Sequence, residues 1–496
     1  MPMKNYHQLE KIFAQIGSLE SASGILQWDA ATMLPEGSSS VRGEQLSALA
    51  EVVHEKITDP RISDWLDAAK SEPLNEWQKA NLEEMRHTWI HANAVPQDLV
   101  SALTKAANET EMVWRTARRE NDFALFAKHF SPMLKYIQEV AAAKSAALGT
   151  SPYDALLDQY DPGMRSAVID PIFSDLESYL PSLVDRVIEH QKKKPAATEL
   201  NGPFPIASQK ALGLEFMERL GFDFSQGRLD ISTHPFCGGA PGDVRITTRY
   251  KEDNFTESFF GVLHETGHAL YEKNLPEAWR MQPVGRARGM SMHESQSLLV
   301  EMQLSLSPEF ISFALPRMQY HLGGTGGAWS VENISRMMTK VERSLIRVTA
   351  DEVTYPLHVI LRYKLEKALL SGDLPVMDLP AAWNENMKKY LGITPPNDAD
   401  GCLQDIHWAG GSIGYFPTYT LGAMIAAQLF DAAKKQSPHL LQSIKNGEFT
   451  GLTNWLATHV HSKASSLTTA GILQLATGKP LDTSVYKAHL ETRYLQ

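Results

Sequence analysis

The chain has 496 residues, 43% of them hydrophobic, which is enough to bury a large core and, by length alone, to form about two to four domains. A formal net charge of −11 argues against nucleic acid or an anionic membrane as a partner. Two cysteines, Cys237 and Cys402, are too few for a disulfide framework and suit a reducing compartment.

The N-terminus, Met1 to Tyr6, enters an amphipathic helix and shows no signal-peptide core. Helical periodicity predicts elements over residues 4–20, 39–57, 76–92, 97–119, 123–147 and 169–192. Lys192 to Pro205 is the best linker candidate, and its run Lys192-Lys193-Lys194 reads as a solvated loop. A helix over 206–220, closed by Gly221, precedes two predicted strands, Gly227–Thr233 and Val244–Tyr250, on either side of His234-Pro235-Phe236 and a Gly/Pro loop. The second strand leads into the next helix, and its open edge is expected to hold an extended peptide by main-chain hydrogen bonds. Helix resumes over 296–306, 331–371, 375–391, 419–435 and 450–460. Gly323-Gly324-Thr325-Gly326-Gly327 lacks the Lys-Ser/Thr of a phosphate loop and reads as a flexible connection. The longest apolar stretch in the C-terminal third, Leu421–Phe430, is too short to span a bilayer. The expectation is a soluble, cytoplasmic, mostly α protein with a small central sheet, forming one domain over residues 1–496.

Between the strands and the later helices lies His264-Glu265-Thr266-Gly267-His268. Residues four apart on a helix project from one face, so both imidazoles can grip one metal ion with Glu265 beside them as a general base. Asn254 is placed to cap this helix and Asn274 with Pro276 to stop it. Catalytic zinc takes three protein ligands. Glu294, in a second helix beginning near Gly289, is the preferred third, with Glu301 seven residues on as its supporter. Two alternatives stay open: Ser291-x-x-Glu294 is also a capping box, and Glu272 is a rival ligand on the first helix.

These residues resemble the carboxypeptidase Taq family of zinc metallocarboxypeptidases over the full length. The matching blocks are Trp28-Asp29 with Met33-Leu34-Pro35 and Arg42-Gly43; Tyr153 to Asp158 with Pro162-Gly163-Met164; His234-Pro235-Phe236; Asp243-x-Arg245-x-Thr247; His264-Glu265-x-x-His268; His293-Glu294-Ser295-Gln296; Ile346-Arg347-x-x-Ala350-Asp351; and Gly401-x-x-Gln404-Asp405-x-His407-Trp408. Ser297 stands where the family block sometimes carries a second Gln. The resemblance implies a saddle-like helical body with a long groove, related to neurolysin and angiotensin-converting enzyme. It implies His264, His268 and Glu294 as ligands of zinc. The expected cofactor is one zinc ion per chain, with cobalt or manganese as substitutes: ligand type favours zinc, but affinity order alone does not separate them from it. The resemblance also implies removal of C-terminal residues from peptides with broad preference but poor action at proline, and a homodimer. His407-x-Ala409-Gly410-Gly411 followed by Tyr419 is similar to thimet-type oligopeptidases, which makes His407 and Tyr419 the oxyanion candidates, with Tyr415 as rival.

A carboxypeptidase needs a cation for the terminal carboxylate. Arg347 is the first candidate, its competing role being an ion pair with Asp351 four residues on; Arg245 is the second, with Asp243 as its competing partner. His234 is read as a turn or groove-lining residue, His293 as lining the site, and both cysteines as buried apolar residues. A zinc oligoendopeptidase is the alternative function, separated only by the carboxylate-binding Arg. A zinc-stabilised peptide-binding protein without turnover is the other, and it would need neither Glu265 nor Tyr419.

Overall fold

Capping and apolar spacing place most helices where the sequence predicts them. The computed structural model describes residues 3–496. Its helices are α1 (Lys4–Thr32), α2 (Ser39–Ile57), α3 (Arg61–Ala69), α4 (Glu76–Asn93), α5 (Gln97–Glu120), α6 (Phe123–Leu148), α7 (Pro152–Leu157), α8 (Ser166–Lys192), α9 (Ile206–Leu220), α10 (Phe255–Lys273), α11 (Gly289–Leu298), α12 (Pro308–Leu322), α13 (Val331–Met338), α14 (Tyr355–Ser371), α15 (Leu379–Leu391), α16 (Pro417–Gln436), α17 (Leu440–Lys445), α18 (Thr450–His459), α19 (Thr469–Thr477) and α20 (Thr483–Leu495). The chain is thus mostly helical with one small sheet. Among the described residues no single helix is long and apolar enough to cross a membrane.

The chain divides into two compact units. The first comprises Met1–Ala92, Ala197–Met338 and Ile425–Asp482; the second comprises Asn93–Ala196, Thr339–Met424 and Thr483–Gln496. The second passage between them, after Ala196, falls inside the expected linker.

In the first unit, Tyr6, Leu9, Phe13 and Ile16 of α1 bury against Ile62 and Leu66 of α3 and Leu82 and Met85 of α4. A second core, Met217, Leu229, Val244, Ile246, Val262 and Ala269, joins α9 and α10 to the sheet. That sheet has three strands, β1 (Gly227–Ile231), β2 (Cys237–Ala240) and β3 (Asp243–Thr248), in the order β1-β3-β2. Gly227 pairs with Val244 in the parallel β1–β3 ladder, and Cys237 with Ile246 in the antiparallel β2–β3 ladder. This corrects one expectation. β3, the strand that feeds α10, is the central strand, so both its edges are already paired; the outer strands are β1 and β2. β2 was hidden in the sequence because Cys237-Gly238-Gly239-Ala240 has almost no strand propensity. Gly239 sits at φ +102°, and a Cβ there would lie 2.1 Å from the Asp243 carbonyl oxygen.

The predicted helix over 331–371 is broken. Between α13 and α14 the chain leaves the helix, making a short 3-10 turn at Arg347–Thr349. Asp351 explains the break: its Oδ1 accepts from the N–H groups of Val353 and Thr354, both at 3.0 Å, turning the chain before Pro356 starts α14. Glu352 anchors the C-terminal helix, accepting from Arg493 Nη1 at 2.9 Å and Tyr494 OH at 3.0 Å and meeting His489 Nε2 at 2.8 Å.

Candidate metal centre

Helix α10 starts where Asn254 accepts from the N–H groups of Thr256 and Glu257 and ends at Asn274. Its inner face buries Val262, Leu263, Ala269 and Tyr271. Gly267 lets it touch α11: a Cβ there would meet the Gln296 carbonyl oxygen at 2.4 Å and the Ser297 Cα at 2.6 Å. The N-cap of α11 is Arg288, so Ser291 lies inside the helix and forms no capping box with Glu294. Past Leu298 the helix widens into a π-turn over Leu299–Leu304.

The two helices bring one donor atom each from His264, His268 and Glu294 to within 4.8 Å of one another. Glu294 Oε2 is 3.6 Å from His268 Nε2, and its Oε1 is 4.0 Å from His264 Nε2. The other ring nitrogen of His264, Nδ1, lies 2.7 Å from Glu301 Oε2. The rival ligand Glu272 is engaged elsewhere, 2.8 Å from His293 Nε2. Burial pushes the Glu265 carboxyl up to about 7, against the pull of His264. Burial draws His268 well below the usual histidine range. Burial also draws His264 down, but the hydrogen bond and charge of Glu301 outweigh it and lift the imidazole to about 10. Two imidazoles and a carboxylate with converging donors, one imidazole backed by a second carboxylate, fit a divalent cation.

The remaining candidates fall into two groups. In the second unit, His407 Nε2 is 3.1 Å from Tyr419 OH, and the Tyr415 ring lies 5.2 Å from that of Tyr419. Arg347 is buried and does not pair with Asp351. Its Nε and Nη2 donate to Asp405 Oδ1 at 3.0 and 2.8 Å, its Nη1 donates to Tyr355 OH at 2.8 Å, and its guanidinium stands 5.0 Å over the Tyr419 ring. Arg362 donates to the other oxygen of Asp405 at 2.7 Å. Burial lowers His407 to about 4, with Arg347 and Arg362 adding to the effect against Asp405. In the first unit, Arg245 forms a fork with Asp243, at 2.8 and 2.5 Å, and stacks 4.6 Å over Trp28. Arg228 forms the same fork with Asp230 and lies 5.0 Å over the same ring. His234 is exposed, and its carbonyl accepts from Ser232 Oγ.

Arg362 and Tyr355 were not singled out from the sequence, and Asp405 was named only within a family block, without a role; its place two residues before His407 was the available signal. His461 was also missed. It is buried, with Nε2 3.0 Å from Gln296 Oε1 and Nδ1 3.2 Å from Asn274 Nδ2.

A family model described as carboxypeptidase Taq (M32) metallopeptidase matches residues 8–494. The chain is 38% identical over 505 residues to thermostable carboxypeptidase 1 of Thermus thermophilus, with 99% of each chain covered. It is 34% identical over 495 residues to carboxypeptidase 1 of Bacillus subtilis, with 98% of each covered. The solved structure of Trypanosoma cruzi metallocarboxypeptidase 1 superposes with a TM-score of 0.98 at 40% identity, covering 100% of both chains. The match runs through both units and both helices of the metal centre, and the chain therefore belongs to the carboxypeptidase Taq family of metallopeptidases.

Proposed function

We propose that the protein is a zinc-dependent carboxypeptidase of broad specificity, shortening peptides from the C-terminus. The observation that carries this reading is the convergence of His264, His268 and Glu294 on one point beside the buried carboxyl of Glu265. Family membership and the names of the relatives favour the exopeptidase form.

In this reading His264, His268 and Glu294 hold the ion. Zinc bound there supplies Lewis acidity, bringing the pKa of water from 15.7 down to about 7 and polarising the scissile carbonyl. Glu265 accepts the proton of the attacking water and passes it to the leaving amine. Glu301 orients His264 through Nδ1 and keeps its Nε2 turned toward the ion. His407 and Tyr419 are assigned hydrogen bonds to the developing oxyanion, with neutral His407 bonded to the Tyr419 hydroxyl. Arg347 is assigned the terminal carboxylate of the peptide. The proposal extends to a cytoplasmic location, to a homodimer as the family resemblance implies, and to cobalt or manganese as substitutes for zinc.

Mass spectrometry of products from one unblocked peptide and its C-terminal amide tests the proposal. Stepwise loss of single residues from the free acid, abolished by a chelator and restored by zinc, is the expected result. Internal cleavage of the amide at full rate would make the enzyme an oligoendopeptidase. That reading draws some support from Arg347, whose guanidinium already has Asp405 and Tyr355 as partners.

A further inference from the structure

We infer that the turn His461–Ser465 is a clamp for the metal centre and that His461 is its positioning residue; this rests on the zinc reading above. Three contacts converge from this one turn on the two ligand-bearing helices and on the segment between them.

The first is to α10. Asn274, its C-cap, offers Nδ2 to His461 Nδ1 at 3.2 Å, six residues beyond His268. The second is to α11. His461 Nε2 lies 3.0 Å from Gln296 Oε1, and Gln296 is two residues beyond Glu294. An amide N–H donating to Nδ1 leaves Nε2 carrying the proton, so a neutral imidazole donates to Gln296 while accepting from Asn274. The third is to the connection. Ser465 donates its N–H to the Val284 carbonyl at 3.0 Å and its hydroxyl to the Arg286 carbonyl at 3.0 Å, just ahead of α11. The His461 ring also lies 5.0 Å from that of Tyr271, whose hydroxyl accepts from the Arg288 N–H at 3.0 Å.

The backbone of the turn carries a separate sign of being held in place. Ala464, fully buried, has φ +46° and ψ −131°, a conformation a residue with a Cβ adopts only when its surroundings impose it. Gly267 sets the distance between α10 and α11 at their crossing. His461, bonded to α10 at its C-cap and to α11 at the crossing itself, fixes how the C-terminal end of α10 lies against α11. That placement decides whether Glu294 meets the two imidazoles. His461 thus acts on the ligands through Asn274 and Gln296 and does not touch the reacting atoms.

The test measures zinc affinity of the full-length protein by competition with a chromogenic chelator, together with the visible spectrum of the cobalt-loaded form. His461→Ala and Gln296→Ala should each weaken zinc binding about 10- to 100-fold, the range for residues that orient ligands, and should shift the cobalt spectrum while helicity by circular dichroism stays that of the parent. The double variant should be no weaker than the weaker single one, since both remove one contact. His461→Gln, which keeps a donor for Gln296, should recover most of the affinity. Parental affinity and spectrum in His461→Ala, or losses that multiply in the double variant, would overturn the clamp. Should His461→Ala fail to fold, Gln296→Ala and His461→Gln decide it: parental zinc affinity in Gln296→Ala overturns the clamp, and a loss there with near-parental affinity in His461→Gln supports it. His268→Ala and Glu294→Ala, run in the same assay, report on the zinc reading itself: both must lose the metal whatever His461 does.

Discussion

His264 Nδ1 and Glu301 Oε2 stand 2.7 Å apart, and the carboxylate reaches the imidazole from a π-helical turn. Glu294, on the preceding α-helical turn, approaches the same ring from its Nε2 side at 4.0 Å. Two carboxylates seven residues apart therefore address opposite edges of one imidazole. A wider turn between them is a common device at functional sites.

Removing the Glu301 carboxylate should loosen the metal without abolishing its site. Glu301→Ala is expected to weaken zinc binding about 10- to 100-fold, whereas His268→Ala and Glu294→Ala should lose the ion altogether. Isothermal titration of the demetallated protein checks this. Parental affinity in Glu301→Ala would reduce the contact to a surface pair.

Glu265 has a different part, and its replacement should separate binding from turnover. Glu265→Gln is expected to retain one zinc per chain while hydrolysis falls by at least about 10²- to 10⁴-fold, the usual contribution of a positioned acid–base group. Metal analysis and single-turnover assays on the same preparation decide the matter. An active variant would remove Glu265 from the mechanism.

Arg347 offers the sharpest contrast between function and scaffold. A charge-assisted contact is worth about 1.5–3 kcal/mol, so Arg347→Ala should slow cleavage of a free-acid peptide about 10- to 100-fold and that of its amide hardly at all. Equal losses on both substrates would show that Arg347 only braces Asp405. Asp405→Ala strips the shared partner from two buried guanidinium groups and should lower stability by about 3–5 kcal/mol in urea unfolding.

Gly267→Ala tests the helix crossing. Alanine would gain about 1 kcal/mol in helix propensity, but its methyl would sit 2.4 Å from one backbone atom and 2.6 Å from another, neither of which can rotate away. Overpacking costs about 1–3 kcal/mol, so a lower Tm and weaker zinc binding are expected. A raised Tm would mean that the helices part without strain.

Glu352 makes part of the stability acid-sensitive. Burial alone would raise its carboxyl, but His489 and Arg493 hold it down at about 2, from an ordinary 4.5. A depressed folded-state value stabilises above the unfolded pKa, and that stability is lost as pH falls from about 4.5 toward 2. Urea unfolding at pH 5 and pH 3 should show a smaller loss for Glu352→Gln than for the parent. Equal losses would locate the acid sensitivity elsewhere.

The sequence was most legible where one local rule decided the outcome. The predicted spans at 39–57 and 206–220 match α2 and α9 residue for residue, and Asn254 caps α10 as its position implied. It was least legible where distant partners decided. β2 is a strand because β3 pairs with it, not because its glycines favour one. The break before α14 depends on Asp351 turning toward the backbone, which helical periodicity cannot register. At the site, the four-residue spacing put His264 and His268 on one face, but no local pattern linked His461 to Gln296, 165 residues away.

The interleaving of the two units has a consequence for biosynthesis. Each unit is assembled from three separate stretches, and the chain passes between them five times. During synthesis, His264 to Glu294 leave the ribosome well before residues 425–482, which finish the unit that carries them. At about 5–20 residues per second, the nascent ligands wait on the order of ten seconds or more for His461. A stop codon between Glu294 and that third stretch would release a chain with every proposed metal donor and no completed unit to hold them.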